Sequence, residues 1–451
     1  MRHRICIVVF LLCSLSAHAQ WHSIDTTDPR GVISLSELLR VIQLYNADEL
    51  HCEADTEDGY APGTGEQSCT PNDLDYNPQD WSISLSELLR AIQFYDLRGY
   101  STFCSSEDGF KPGIGEILEC GEGEWQFVEM ISVAAGGFEM GRSTEGDDAR
   151  LGGSDELPVH TVTLSAYEIG KYEVTNHQYC AVLNHAIASS RIYLCTSTGA
   201  VWSGRGDIYA GGNLRKILGF GPNNNIGFSE GSFSPKTRVG LPGRKKYSTG
   251  THPVQYVTWY GAASFANWLS EMEGLTPVYD WNTAGWPANF ANNGYHLPTE
   301  AQWERAAAWD GTKHWIYGFT EDALTGKIRA NYYDWTPAYL NPLGLTDTPY
   351  TSPVGWFNGV NVSPNGAVST TKSVSPVGCY DMSGNILEWC HDWYAAYGAG
   401  AEIDPPGAAS GSDRVVRGGS WSDESYFCRS AQRGDFKPGN VNYYTGFRLA
   451  R

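Results

Sequence analysis

Basic residues are scarce in this chain of 451 residues: 31 lysines and arginines stand against 51 aspartates and glutamates, a formal net charge of −20. That balance argues against nucleic acid as a partner, because phosphate binding needs a clustered basic footprint and none is visible. The acidic surplus suits a soluble exported chain and also supplies carboxylates for hard cations such as Ca²⁺. Long apolar runs are missing too. Beyond Ile5 to Leu15 no segment approaches the roughly 20 apolar residues of a membrane helix. The start itself reads as a leader: Met1-Arg-His-Arg, the short apolar stretch, then Ala17-His18-Ala19 predict cleavage after residue 19. The expected product is secreted, periplasmic or at the cell surface, in an oxidising compartment. What is plentiful is glycine (51), tyrosine (26) and tryptophan (16), which points to a loop-rich fold held by aromatic side chains. A hydrophobic content of 41% excludes wholesale disorder. Of 11 cysteines, Cys6 and Cys13 leave with the leader and nine remain, so at least one thiol is free or paired between chains.

An internal repeat dominates the first part. Ile33 to Tyr45 recurs as Ile83 to Tyr95, and Glu57 to Glu66 recurs as Glu107 to Glu116, both at a shift of 50 residues. Each unit (residues 20–70 and 71–122) reads as a helix, with Leu35, Leu38, Leu39 and Ile42 at helical spacing, followed by a Gly/Pro-rich loop. Cysteines flank each loop, and local pairs Cys52–Cys69 and Cys104–Cys120 are expected to staple units too small to bury much core. Before each helix lies an acidic stretch that resembles an EF-hand or dockerin loop. Asp25, Asp28 and Glu37 in the first copy, and Asp75, Asn77, Asp80 and Glu87 in the second, are the oxygens such a resemblance assigns to Ca²⁺. The loops run one residue long, and Arg30 and Pro78 occupy ligand positions. The same acids can instead cap the helices.

From residue 123 to residue 451 the pattern changes to short strand-like runs (Phe127 to Val133, His160 to Leu164) and a few helices. Those are Thr175 to Ala188, Trp259 to Met272 behind Thr258, and a third opening at Thr299, where Gln302 completes a capping box. Eight motifs then occur in a fixed order. They are Phe138-Glu-Met-Gly, Asp155-Glu-Leu-Pro-Val-His, Ile169-Gly-Lys-Tyr-Glu-Val-Thr-Asn, His252-Pro-Val, Leu297-Pro-Thr-Glu-Ala-Gln-Trp-Glu, Tyr380-Asp-Met-Ser-Gly-Asn-Ile-Leu-Glu-Trp, Arg417-Gly-Gly-Ser-Trp and Gly446-Phe-Arg. Together they resemble the sulfatase-modifying-factor (formylglycine-generating enzyme) family. The resemblance implies an α+β, C-type-lectin-like fold with little regular secondary structure, preceded here by small helical repeats.

The resemblance also implies two calcium sites. One would use the side chains of Asp381 and Glu388 with the carbonyls of Gly384 and Ile386. The other would use Asn331, the Tyr332 carbonyl, Asp347 and the Pro349 carbonyl. Enzymes of the family oxidise a substrate cysteine to an aldehyde with Cu(I) held between two cysteines, a soft pair for a soft ion. The positions two and seven residues after Trp421 are Asp423 and Cys428, so the pair is incomplete. The iron-dependent sulfur-transfer branch of the fold needs a His-x3-His-x-Glu cluster, and none of the 11 histidines has that spacing. Cys428 is expected to pair with Cys390, and Cys180 with Cys195, leaving Cys379; a lone reactive or metal-binding Cys428 is the competing reading. Two functions follow: a calcium-stabilised binding or accessory module for an extracytoplasmic protein or glycan, or an active copper-dependent formylglycine-generating oxidase. For the first, Ser420, Trp421, Tyr426 and Tyr443, with Phe427 and Tyr444, are the expected binding face, against the ordinary alternative of buried aromatics.

Overall fold

Local signals fix the helices. Thr299 accepts a hydrogen bond from the Gln302 amide while Gln302 reaches back to the Thr299 amide, and the helix Glu300–Ala308 starts there. Thr258 caps Trp259–Met272 through the Gly261 amide. A third helix runs Asn176–Ala188.

The computed structural model describes residues 127–188, 192–195, 207–210, 215–219, 223–229, 231–324, 326, 328–334, 341–364, 366 and 368–451 of the larger part of the chain. In the first part it describes 34–47, 49–53, 56, 59–69, 82, 83, 88, 91, 92, 100–102 and 110–112. The chain divides into two units, Met1–Phe127 and Val128–Arg451. Among the described residues no helix is long and apolar enough to cross a membrane.

In the first unit the helix Leu35–Tyr45 is capped by Ser34, and the Glu37 carboxylate accepts the Ser34 amide (N to Oε2, 2.7 Å) as the reciprocal half of a capping box. Glu37, assigned to Ca²⁺ by resemblance, therefore has a helix-starting role in this structure. The buried face also differs from expectation. Leu38, Val41 and Leu44 face the core with Leu50, Ile83, Leu88 and Ala91, whereas Leu35 and Leu39 are exposed. The stretch expected to be loop contains a hairpin instead, Leu50–Cys52 against Tyr60–Pro62. Its counterpart 50 residues on, Tyr100–Thr102 against Phe110–Pro112, keeps the same register. Cys52 and Cys69 are joined as a disulfide. Asp25, Asp28, Asp75, Asn77, Asp80, Glu87 and the Cys104–Cys120 pair lie outside the described residues, as does the leader.

The second unit mixes helices with small sheets. Its principal sheet is ordered Gly434–Phe436, Arg414–Arg417, Leu387–Trp393, Thr445–Gly446, antiparallel except for the last pair. The helix Glu300–Ala308 covers Leu387–Trp393, so almost every residue of that strand is buried and its sequence shows no polar–apolar alternation. A second sheet is formed by Glu402–Ile403, His160–Leu164 and Gly136–Met140. Tryptophans 259, 268, 286, 303 and 389 are fully buried, and each contributes on the order of 3–5 kcal/mol by the cost of truncation.

The larger unit contradicts two expected disulfides. Cys390 and Cys428 are both free and buried. Cys390 points into a core with Cys379, Val415 and Trp303, while Cys428 belongs to a different cluster with Ile316, Tyr317 and Phe319. Cys180 is likewise a free, buried thiol, and the side chain of its expected partner Cys195 lies outside the described residues.

Candidate functional site

Strand Arg414–Arg417 runs into Gly418 and Gly419, which take the left-handed φ values +93° and +68° and fold the chain back over Cys428. A Cβ on Gly419 would lie 2.7 Å from the Cys428 sulfur, so backbone seals that thiol. Cys428 ends the short 3-10 turn Ser425–Cys428, and its carbonyl accepts from Ser383 Oγ at 2.7 Å. Its thiol faces only the Glu424 carbonyl, at 3.8 Å. Burial, with the Asp423 charge adding to it, pushes the thiol well above its ordinary range. Burial and the raised pKa both disfavour the thiolate form that a nucleophile or metal ligand needs.

Asp423 lies beside the same turn and accepts from Ser420 Oγ at 2.6 Å. Burial raises its pKa despite that bond. Asp423, Gly418, Gly419, Phe427, Arg433 and Tyr444 help line a cleft of about 270 Å³. Among the described residues no group of three His, Cys, Asp or Glu side chains is disposed to hold a metal ion. One sealed sulfur and one hydrogen-bonded carboxylate do not fit Cu(I), which demands two accessible thiolates.

The loop assigned to calcium is only partly suited to it. Asp381, at φ +57°, accepts the Gly355 amide at 2.6 Å, and burial pushes its pKa up to about 6. Gly384 adopts φ +86°, and a Cβ there would meet the Asn331 carbonyl at 2.5 Å. Glu388, however, is committed to Arg448. The guanidinium donates Nε to Oε2 at 2.6 Å and Nη2 to Oε1 at 2.7 Å, and Trp303 Nε1 adds a third bond to Oε2 at 2.9 Å. Both partners are fully buried. Ile386 is buried in the same turn. In the second assigned set, Asn331 is buried, and its Oδ1 meets no hydrogen-bond donor among the described residues. Tyr332, next to it in sequence, and Pro349 are buried, but Asp347 is exposed and lines a separate cavity with Lys236 and Arg238. Asn331 adjoins the first loop directly, its carbonyl accepting the Asn385 amide at 2.7 Å.

The expected binding face is split between surface and interior. Tyr443 and Phe427 are exposed, and Tyr426 and Tyr444 half-buried. Ser420 and Trp421 are buried, Trp421 lying between Tyr350 (centroids 5.2 Å apart) and Tyr443 (5.6 Å).

Sequence reasoning missed the buried ion pairs that organise this region. Arg417 bonds Glu304 and Glu300, and Arg433 holds Glu300 through Nε (2.6 Å) and Nη2 (2.8 Å). Arg429, next to Cys428, binds Asp148 and Glu156 at 2.7–2.8 Å. Arg414 lies between the rings of Trp259 and Trp393, 3.7 and 3.6 Å from their centroids. For Arg417 the signal lies in the motifs themselves, since both its carboxylate partners, Glu300 and Glu304, belong to the motif that opens at Leu297.

His252, which opens the fourth of the eight motifs and precedes the helix Trp259–Met272, is buried against Thr351 (Nδ1 to Oγ1, 2.9 Å). Burial lowers its pKa to about 3 from 6.5. The unfolded chain takes up a proton that the folded one refuses, so this contribution is full above pH 6.5 and is lost as pH falls toward 3. Its slope is at most about 1.4 kcal/mol per pH unit. A His252→Gln variant is expected to show a shallower fall in urea stability between about pH 6 and 4. An unchanged slope would remove His252 from the acid response.

Residues 120–451 match the family described as sulfatase-modifying factor enzyme 1-like domain. A protein of Chlamydia pneumoniae named serine/threonine-protein kinase pkn1 is 31% identical over 327 residues, covering 72% of this chain and 38% of that protein. The formylglycine-generating enzyme of Thermomonospora curvata is 28% identical over 331 residues, covering 71% of this chain and 92% of that protein. Among solved structures, Treponema denticola variable protein 1 aligns over 71% of this chain and 94% of its own, at 26% identity and TM-score 0.43. The chain thus spans 38% of the length of the Chlamydia relative. With eight ordered motifs and a match over residues 120–451, it belongs to the sulfatase-modifying factor enzyme 1-like family.

Proposed function

We propose that Val128–Arg451 is an exported binding or accessory module that keeps the family scaffold without its copper chemistry. The observation carrying this reading is the pair of residues at the copper positions: a carboxylate at Asp423, and at Cys428 a thiol sealed beneath Gly419. A ligand, protein or glycan, would meet the exposed Phe427, which lines the cleft, and the exposed Tyr443, which packs on buried Trp421. Calcium belongs to this proposal as a structural ion. Asp381, the Gly384 and Ile386 carbonyls and the orphaned Asn331 Oδ1 are the oxygens that would hold it, with Glu388 reserved for Arg448. Its contribution would be to order loops that lack a core of their own.

The second reading, an active formylglycine-generating oxidase, is favoured by the Thermomonospora curvata enzyme, which aligns over 92% of its length. One experiment separates them. The full chain is incubated with Cu(I), oxygen and a Cys-x-Pro-x-Arg peptide, and the peptide is followed by mass spectrometry. No aldehyde above the copper-only control is expected, and elemental analysis of the purified chain is expected to find calcium without copper. Catalytic turnover, or stoichiometric copper, would overturn the binding-module reading.

A further inference from the structure

Away from the cleft, the hairpin Thr237–Leu241 with Lys245–Ser248 borders an open cavity of about 460 Å³. Asn223, Lys236, Arg238, Val239, Asp347 and Thr348 line it. Lys236 and Arg238 are two residues apart on extended chain, which sends both side chains to one side. Neutral oxygens alone position them. Lys236 Nζ donates to the Asn224 carbonyl at 2.9 Å. Arg238 donates Nη1 to Asn225 Oδ1 at 3.2 Å and Nη2 to the Thr348 carbonyl at 2.8 Å. No carboxylate among the described residues pairs with either cation. Burial, then the neighbouring Arg238 charge, lowers the Lys236 pKa, as expected for cations crowded together without a counter-ion. Two oriented, unneutralised cations are notable in a chain of net charge −20.

The remaining lining narrows the ligand. Asp347 is exposed on the wall and offers acceptor oxygens, which disfavours a compact dianion and suits a ligand with one negative charge and several hydroxyl donors. Val239, 42% exposed, supplies an apolar patch. The Arg238 charge also reaches the Tyr247 and Tyr256 hydroxyls, which places aromatic side chains near the cation pair. We propose that this cavity is a subsite for a carboxylate-bearing sugar, a uronate unit of a polysaccharide, with its carboxylate on Lys236 and Arg238 and its hydroxyls on Asp347 and Asn223. The proposal is independent of the copper positions and stands or falls without them.

Calorimetric titration of the full chain with an oligogalacturonate, at physiological salt, tests it. A neutral malto-oligosaccharide and inorganic phosphate serve as comparison probes. Saturable binding of the oligogalacturonate alone is expected, weakened about tenfold or more by Lys236→Gln and by Arg238→Gln through loss of a charge-assisted hydrogen bond. Lys245→Gln, an exposed lysine outside the cavity lining, should leave it unchanged. Since Arg238 also braces the Thr348 carbonyl, circular dichroism checks that its variant is folded, and Lys236→Gln carries the test if it is not. Absence of binding, equal binding of phosphate, or full affinity in Lys236→Gln each overturns the proposal.

Discussion

Replacing Arg448 with methionine is expected to destabilise the larger unit by about 3–5 kcal/mol, read as a lower urea midpoint with an unchanged slope. The expectation rests on what would be left behind. Glu388 is fully buried, and its two oxygens meet Arg448 at 2.6 and 2.7 Å. Removing the guanidinium strands a charge where water cannot reach it. The carbonyls of Gly170 and Tyr380, each accepting from Arg448 at 2.9 Å, would lose their donor as well. Gly170 lies far from the Tyr380–Glu388 stretch in sequence, so Arg448 fastens those two segments to its own through one side chain. The double variant Glu388→Gln with Arg448→Met should be less damaging than the sum of the singles, because the second change removes the stranded charge. A loss below about 1 kcal/mol for Arg448→Met would mean that Glu388 is solvated or otherwise neutralised. Rescue of that variant by added calcium would return Glu388 to the role of a metal ligand.

This arrangement also shows what the sequence could and could not convey. Helix starts were legible because their chemistry is local: Thr258 and Thr299 act on amides three residues away. The arginine partner of Glu388 is not legible, for the opposite reason. Spacing around Gly384 presents Asp381 and Glu388 as neighbours, but nothing local says that Arg448, 60 residues on, takes the carboxylate. Strands of three residues, such as Leu50–Cys52 and Tyr60–Pro62, are too short for alternation to register and hide inside a Gly/Pro-rich stretch. The exposure of the aromatic residues is not legible either. Composition marks Trp421 and Tyr443 alike, and only the tertiary placement of Tyr350 decides that Trp421 is covered while Tyr443 is open. The carboxylate at position 423 is written in the chain. That Cys428 is also sealed follows from Gly419 turning over it, which is a backbone property.

Trp303 is the second position where a large loss is expected, and two substitutions separate its two contributions. It is fully buried in the helix Glu300–Ala308, its indole Nε1 donates to Glu388 Oε2 at 2.9 Å, and the Arg417 guanidinium lies 5.2 Å from the ring centroid. Trp303→Ala opens a cavity in a core that holds Phe138, Met140, Val162 and Met382, and should cost about 3–5 kcal/mol. Trp303→Phe retains most of the ring volume and removes the bond to a charged acceptor, so about 1.5–3 kcal/mol is expected in urea unfolding. The two numbers test different things. Equal losses would mean that the indole N–H matters more than the packing, whereas a negligible loss in the phenylalanine variant would mean that Arg448 alone satisfies Glu388. Coupling decides between these outcomes. Trp303 and Arg448 share Oε2 of Glu388, so a cycle built from Trp303→Phe and Arg448→Met should return an interaction energy of about 0.5–3 kcal/mol. Additivity in that cycle would place the two donors in independent environments, which their common acceptor oxygen forbids.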